Sequence, residues 1–130
     1  MLADHGRFFK KYEFMCHCGC GDAWMDADFV GLLDRLRDNY GHPLTLSSAK
    51  RCPEHNEAVS STGANGPHTT GKAVDVLISG PDSYALLHYA YLMGFSGLGV
   101  KQHGNWDERF LHVDTLTPDD GPRPRLWSYK

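Results

Sequence analysis

Apolar and polar positions along the chain sort into a short series of elements. Asp26-Ala27-Asp28 opens a segment in which Phe29, Leu32, Leu33, Leu36 and Tyr40 return at helical spacing. Asp34, Arg35, Arg37 and Asp38 take its opposite face, and Gly41 followed by Pro43 stops it. Leu44-Thr45-Leu46-Ser47-Ser48 then alternates as a short strand. Pro53 to Val59 suits one or two helical turns, with proline tolerated at the start. Ser60 to Thr70, rich in Ser, Gly, Asn and Thr, reads as a loop, and Lys72 to Ile78 as a strand. Gly80-Pro81-Asp82-Ser83 caps a second helix running to about Met93, with Tyr84, Leu87, Tyr91 and Leu92 on or near one face. Gly94 ends it. Strands over Gly97–Lys101 and Arg109–Thr115 follow, joined by the turn-rich Gln102–Asp107, and the proline-bearing tail from Pro118 to Lys130 reads as irregular. Helix, strand, loop, strand, helix, strand, strand is the order of an α+β domain with a small, mainly antiparallel sheet flanked by helices.

A chain of 130 residues holds one ordinary domain. Residues 1–130 are therefore expected to form a single unit, with the cysteine-containing segment 1–25 packed on it. The net charge of -3 and the absence of a Lys/Arg run argue against a nucleic-acid partner. No stretch approaches the roughly 18 apolar residues of a membrane span. The start, Met1-Leu2-Ala3-Asp4-His5-Gly6-Arg7, lacks the apolar run of a secretory signal. The expectation is a monomer made in the cytoplasm without a signal peptide. A protein made in that way would leave its cell by release at lysis or in a virion.

Eight histidines are many for this size and direct attention to metal. Gly66-Pro67-His68-Thr69-Thr70-Gly71-Lys72-Ala73-Val74-Asp75 and Phe110-Leu111-His112-Val113-Asp114 supply two imidazoles and a carboxylate, the donor set of a catalytic zinc that keeps a position open for water. On the last strand, residues two apart share a face, so His112 and Asp114 point one way and Val113 the other. The pattern H-x-x-G-x-A-x-D with a later H-x-D resembles the zinc D-Ala-D-Ala carboxypeptidases and peptidoglycan L,D-endopeptidases, the LAS-type metallopeptidases that include phage endolysins. Ser48-Ala49-Lys50-Arg51 is similar to the S-G-Y-R of that family, Asn56 follows at the usual distance, and the ending Leu126-Trp127-Ser128-Tyr129 looks like its closing R-x-W. The resemblance covers roughly residues 8 to 130.

That resemblance implies a hedgehog/D-Ala-D-Ala-peptidase-like fold and a Zn2+ ion held by His68, Asp75 and His112, with water as fourth ligand. It implies a peptidase acting on peptidoglycan stem peptides or cross-links, as carboxypeptidase or endopeptidase. Arg51 would be the substrate-orienting or oxyanion-stabilising cation, catalytic as well as substrate-binding. Asn56 and Thr69 would join it at the substrate. Many relatives carry an acid three residues before the last His, where this chain has Arg109. Asp114 is then the first choice for general base, with a carboxylate that orients His112 as the alternative role. Glu108 and Asp107 stand behind it. The family's Ser two residues before the first His is Gly66 here, which leaves Thr69 or Thr70 to offer a hydroxyl. Hedgehog signalling domains use the same fold for binding. A catalytically silent, metal-containing wall-binding or virion module is thus the competing class. Cys16, Cys18, Cys20 and Cys52 admit disulfides, a structural metal, or reduced thiols.

Overall fold

The computed structural model describes residues 5–130, so the first four residues of the polar N-terminal stretch lie outside the described residues. Helix α1 spans Ala27–Tyr40. The Asp26 carboxylate accepts from the Phe29 amide at its start, and Gly41, at φ 86°, closes its end on the Arg37 carbonyl. Its inward stripe is Phe29, Val30, Leu33 and Leu36. Asp34 departs from the expected solvent face. It is buried, accepting from the Arg7 and Phe8 amides at 2.7 and 3.2 Å, and so fastens the N-terminal segment to the helix. Helical spacing alone cannot show that a distant backbone will come to meet a carboxylate.

Strand β1 (Thr45–Ser48) and helix α2 (Pro53–Val59) follow, then two 3-10 turns, Gly63–Asn65 and Pro67–Thr70, within the expected loop. Strand β2 (Ala73–Leu77), helix α3 (Pro81–Leu92), strand β3 (Gly97–Lys101), a 3-10 turn at Trp106–Glu108 and strand β4 (Phe110–Asp114) come next. The sheet order is β1-β2-β4-β3-β5, antiparallel except for its last pair. Strand β5 is Arg125–Ser128, in the tail expected to be irregular, and it runs parallel to β3 with Gly99 opposite Trp127. Four residues preceded by prolines carry too little pattern to announce a strand. The free edge of β3 recruits them.

Strand alternation divides the sheet. Val74 and Val76 of β2, Leu98 of β3, and Leu111 and Val113 of β4 join α1 and α3 in one hydrophobic core with Leu33, Leu36, Leu86, Ala90 and Phe95. Phe9, Phe14 and Met25 belong to the same core, so residues 9–25 are packed onto the domain. On α3 the inward residues are Ser83, Leu86 and Ala90, whereas Tyr84 and Tyr91 are 82% and 71% exposed, and Leu92 is exposed too. This corrects the expected face. A helix apolar nearly all round offers no direction, and the neighbouring elements choose the stripe. Among the described residues no helix is long and apolar enough to cross a membrane. The other face of the sheet carries Asp75 and His112, and the segment from Arg51 to Gly71 lies against it.

Candidate metal centre

Asp75 and His112 are direct cross-strand partners in the β2–β4 pair, which brings residues 37 apart in sequence into contact. His68 reaches the same point from the 3-10 turn Pro67–Thr70. That turn is closed by the Thr69 and Thr70 hydroxyls, which donate to the Gly66 and Pro67 carbonyls at 2.6 Å. All three side chains are buried, and one donor atom from each lies within 4.8 Å of the others.

The ring nitrogens are assigned by their partners. His68 Nδ1 lies 2.8 Å from the Ala49 carbonyl, which can only accept, so Nδ1 carries the hydrogen and Nε2 keeps its lone pair. That Nε2 stands 3.3 Å from Asp75 Oδ1, lone pair against lone pair. His112 Nδ1 lies 3.0 Å from the same oxygen, while His112 Nε2 donates to Asp114 Oδ2 at 2.7 Å. Two neutral imidazole lone pairs converging on one carboxylate oxygen call for a shared cation. Zinc bonds of about 2.0–2.1 Å in a tetrahedron give ligand separations of roughly 3.3 Å, close to those present here. The donor set fits a zinc ion, and His68 Nε2, Asp75 Oδ1 and His112 Nδ1 would hold it.

Charge reinforces this arrangement. Burial by itself raises the Asp75 carboxyl, but attraction to His68 and hydrogen bonding with His112 and His68, which act whenever a proton stands where the cation would, outweigh it and hold the group well below the usual carboxylate range. Burial lowers His112, yet its bonds to Asp114 and Asp75 prevail and raise it. Burial also opposes ionisation of Asp114, whose bonds from His112 and Arg123 nevertheless keep it down at about 2.

Asp114 is 0% exposed. Its Oδ2 meets both His112 Nε2 and Arg123 Nη2 at 2.7 Å, and its Oδ1 accepts from Arg123 Nε and the Leu116 amide. The His112 ring therefore stands between Asp114 and Asp75, and both Asp114 oxygens are already engaged. These contacts are those of a carboxylate that orients His112, the second of its two expected roles. Glu108 and Asp107 sit on the exposed turn Trp106–Glu108, and no hydrogen bond or ion pair among the described residues joins them to the cluster.

Arg51 points into the site, with Nη2 3.9 Å from Asp75 Oδ2 and Nη1 donating to Asn56 Oδ1 at 3.1 Å. Asn56, expected at the substrate, is instead 1% exposed, and its amide nitrogen donates to Thr62 Oγ1 and the Gly63 carbonyl. It holds the loop and the guanidinium rather than presenting itself to a ligand, because a buried amide must satisfy its own polar atoms. Thr69, likewise expected at the substrate, has its hydroxyl hydrogen committed within the turn that carries His68.

Three participants escaped sequence reasoning as site residues. The Trp127 ring packs against His112 with centroids 5.0 Å apart, and Arg123 clamps Asp114. Tyr129 lies in the field of Asp75 and Arg51, and burial, assisted by Asp75, pushes its hydroxyl up to about 12. Its hydroxyl therefore keeps its proton at ordinary pH. Room for this wall comes from β3. A Cβ on Gly99 would lie 2.7 Å from the Trp127 indole, and one on Gly97 would collide with the Asp114 carboxylate. The alternation Gly97-Leu98-Gly99 on a strand was the available signal.

The family model described as Peptidase M15 matches residues 7–114. No curated protein and no solved structure matches the chain significantly.

Proposed function

Because the chain belongs to the peptidase M15 family, and is thereby a zinc metallopeptidase, we propose that it hydrolyses an amide bond in peptidoglycan stem peptides or their cross-links, as carboxypeptidase or endopeptidase. The observation that carries this reading is the convergence of His68 Nε2 and His112 Nδ1 on Asp75 Oδ1, with Arg51 3.9 Å from the other Asp75 oxygen. When bound there, zinc supplies Lewis-acid polarisation of a carbonyl and a water whose pKa is lowered to near 7.

The chain's own residues prepare the rest. Ala49 fixes the His68 tautomer, and Asp114 fixes that of His112 while Arg123 keeps Asp114 ionised. Asn56 holds one arm of the Arg51 fork, which leaves the guanidinium turned toward the site, where it can meet a substrate carboxylate or the oxyanion of the tetrahedral intermediate. Tyr129, kept protonated, and Trp127 wall the same side.

The test is mass spectrometry of muropeptides released from purified cell walls with defined cross-links. New peptide termini should appear with the zinc-loaded protein. They should vanish on chelation and in His68→Ala, Asp75→Ala or His112→Ala, each of which should also lose zinc. Cleavage confined to the glycan strand would overturn the proposal. A second reading, a silent wall-binding or virion module, is favoured by one observation: both oxygens of Asp114 are engaged. Zinc-loaded protein that co-sediments with walls yet releases nothing would establish that reading instead.

A further inference from the structure

The four cysteines come together as a cluster separate from His68, Asp75 and His112. Cys16 Sγ lies 3.4 Å from Cys18 Sγ and 3.8 Å from Cys52 Sγ, and Cys18 and Cys52 are 3.6 Å apart. With Cys20 included, every sulfur lies within 4.8 Å of every other. A disulfide would draw one pair to about 2.0 Å and sort the four into couples. Here three sulfurs are nearly equidistant and the fourth closes on them. Zinc–sulfur bonds of about 2.3 Å in a tetrahedron place the sulfurs about 3.8 Å apart, the separation found here.

We propose that Cys16, Cys18, Cys20 and Cys52 form a second, structural zinc centre with four thiolate ligands. Ordinary packing does not account for the cluster, since Cys18 and Cys20 are exposed and only Cys16 is buried. Thiols that serve merely as small hydrophobic groups lie inside. Backbone amides already point at the sulfurs: Cys52 N–H toward Cys16 Sγ at 3.4 Å, Asp22 N–H toward Cys20 Sγ at 3.5 Å, and His55 N–H toward Cys52 Sγ at 3.4 Å. Such donors suit sulfurs that carry negative charge. Binding needs no oxidant or reductant. Zn2+ displaces the four thiol protons to solvent and four Zn–S bonds form. An all-sulfur tetrahedron selects zinc over the hard cations.

The position of this centre gives it a purpose. Three ligands come from the loop that the Cys16 amide closes on the Asp22 carbonyl, and the fourth directly follows Arg51. The two segments already touch through the Lys50 amide and the Phe14 carbonyl, and the Arg51 amide donates to the His68 carbonyl. The ion would therefore cross-link residues 36 apart and pin the backbone from which Arg51 reaches toward Asp75.

Elemental analysis and native mass spectrometry of the reduced, chelator-free chain should find two zinc ions. After cobalt exchange, an intense near-ultraviolet sulfur-to-cobalt charge-transfer band should appear. It should persist in His68→Ala and disappear in Cys18→Ser and Cys20→Ser. Those exposed positions leave the core intact, so the serine variants should keep their circular dichroism, hold one zinc in place of two, and melt at a lower temperature. Unchanged zinc content in both serine variants would overturn the proposal. So would a freshly purified chain lacking two hydrogens for each cysteine pair and holding no second metal. A single zinc lost in His68→Ala but kept in Cys18→Ser would overturn it while sparing the peptidase site. A single zinc with the opposite behaviour would uphold it and count against the His68–Asp75–His112 centre.

Discussion

A carboxylate that holds an imidazole from behind and one that takes a proton from water respond differently to losing their charge. Asp114 touches His112 Nε2 on the edge away from Asp75 and is clamped by Arg123. Asp114→Asn should therefore weaken zinc binding by about 10- to 100-fold, the scale for such orienting partners. Turnover at saturating zinc should largely recover. Chelator-competition titrations run beside kcat measurements decide it. Retained zinc with turnover down roughly 100-fold or more would restore Asp114 as the base. Arg51 is tested in the other direction, because it contacts Asp75 only at 3.9 Å and Asn56 at one nitrogen. Arg51→Lys keeps the charge but not the fork, so kcat/KM on wall fragments should fall while zinc content stays whole. A rise in KM alone would mark ground-state anchoring of substrate, and a drop in kcat a contact made in the transition state.

At the level of elements, β3 is the strand whose side chains matter by being absent. Gly97 and Gly99 face Asp114 and His112 across the β3–β4 pair, and β5 lays Trp127 over Gly99. Gly99→Ala should displace the indole and destabilise the fold by about 1–3 kcal/mol, the range for overpacking a filled site. Thermal melts and tryptophan fluorescence read the two effects. Replacing Trp127 by Leu in the same chain should recover part of the loss, which a purely local backbone effect at Gly99 would not allow. Strand β5 also shows why four residues could not be read as a strand beforehand: its hydrogen bonds go to a neighbour some 28 residues back, and nothing local in Arg125–Ser128 encodes that edge.

Across the whole molecule, buried carboxylates couple stability to acid. Asp114 is held at about 2, below its ordinary value, so the stability it contributes is present above the unfolded carboxylate pKa near 3.9 and is lost as pH falls through about 2. The gap corresponds to roughly 2–3 kcal/mol. Asp75 is shifted in the same direction. With chelator present, to set aside the loss of zinc, melting temperature should drop steeply below about pH 4. Asp114→Asn should flatten that limb, and an unchanged limb would show that the pair with Arg123 does not survive in solution. The α1 stripe, the strands around Asp75 and His112, and the shared face of His112 and Asp114 were legible in the sequence, because periodicity and capping are properties of neighbouring residues. So was the family, carried by H-x-x-G-x-A-x-D and H-x-D. Tertiary structure alone decided the rest. It set which ring nitrogen of each histidine faces Asp75, it turned Asn56 and Asp114 inward as supports, and it brought Arg123 and Trp127 back from the tail. Those outcomes depend on distances between residues far apart in the chain, and such distances exist only once the sheet has closed over its core.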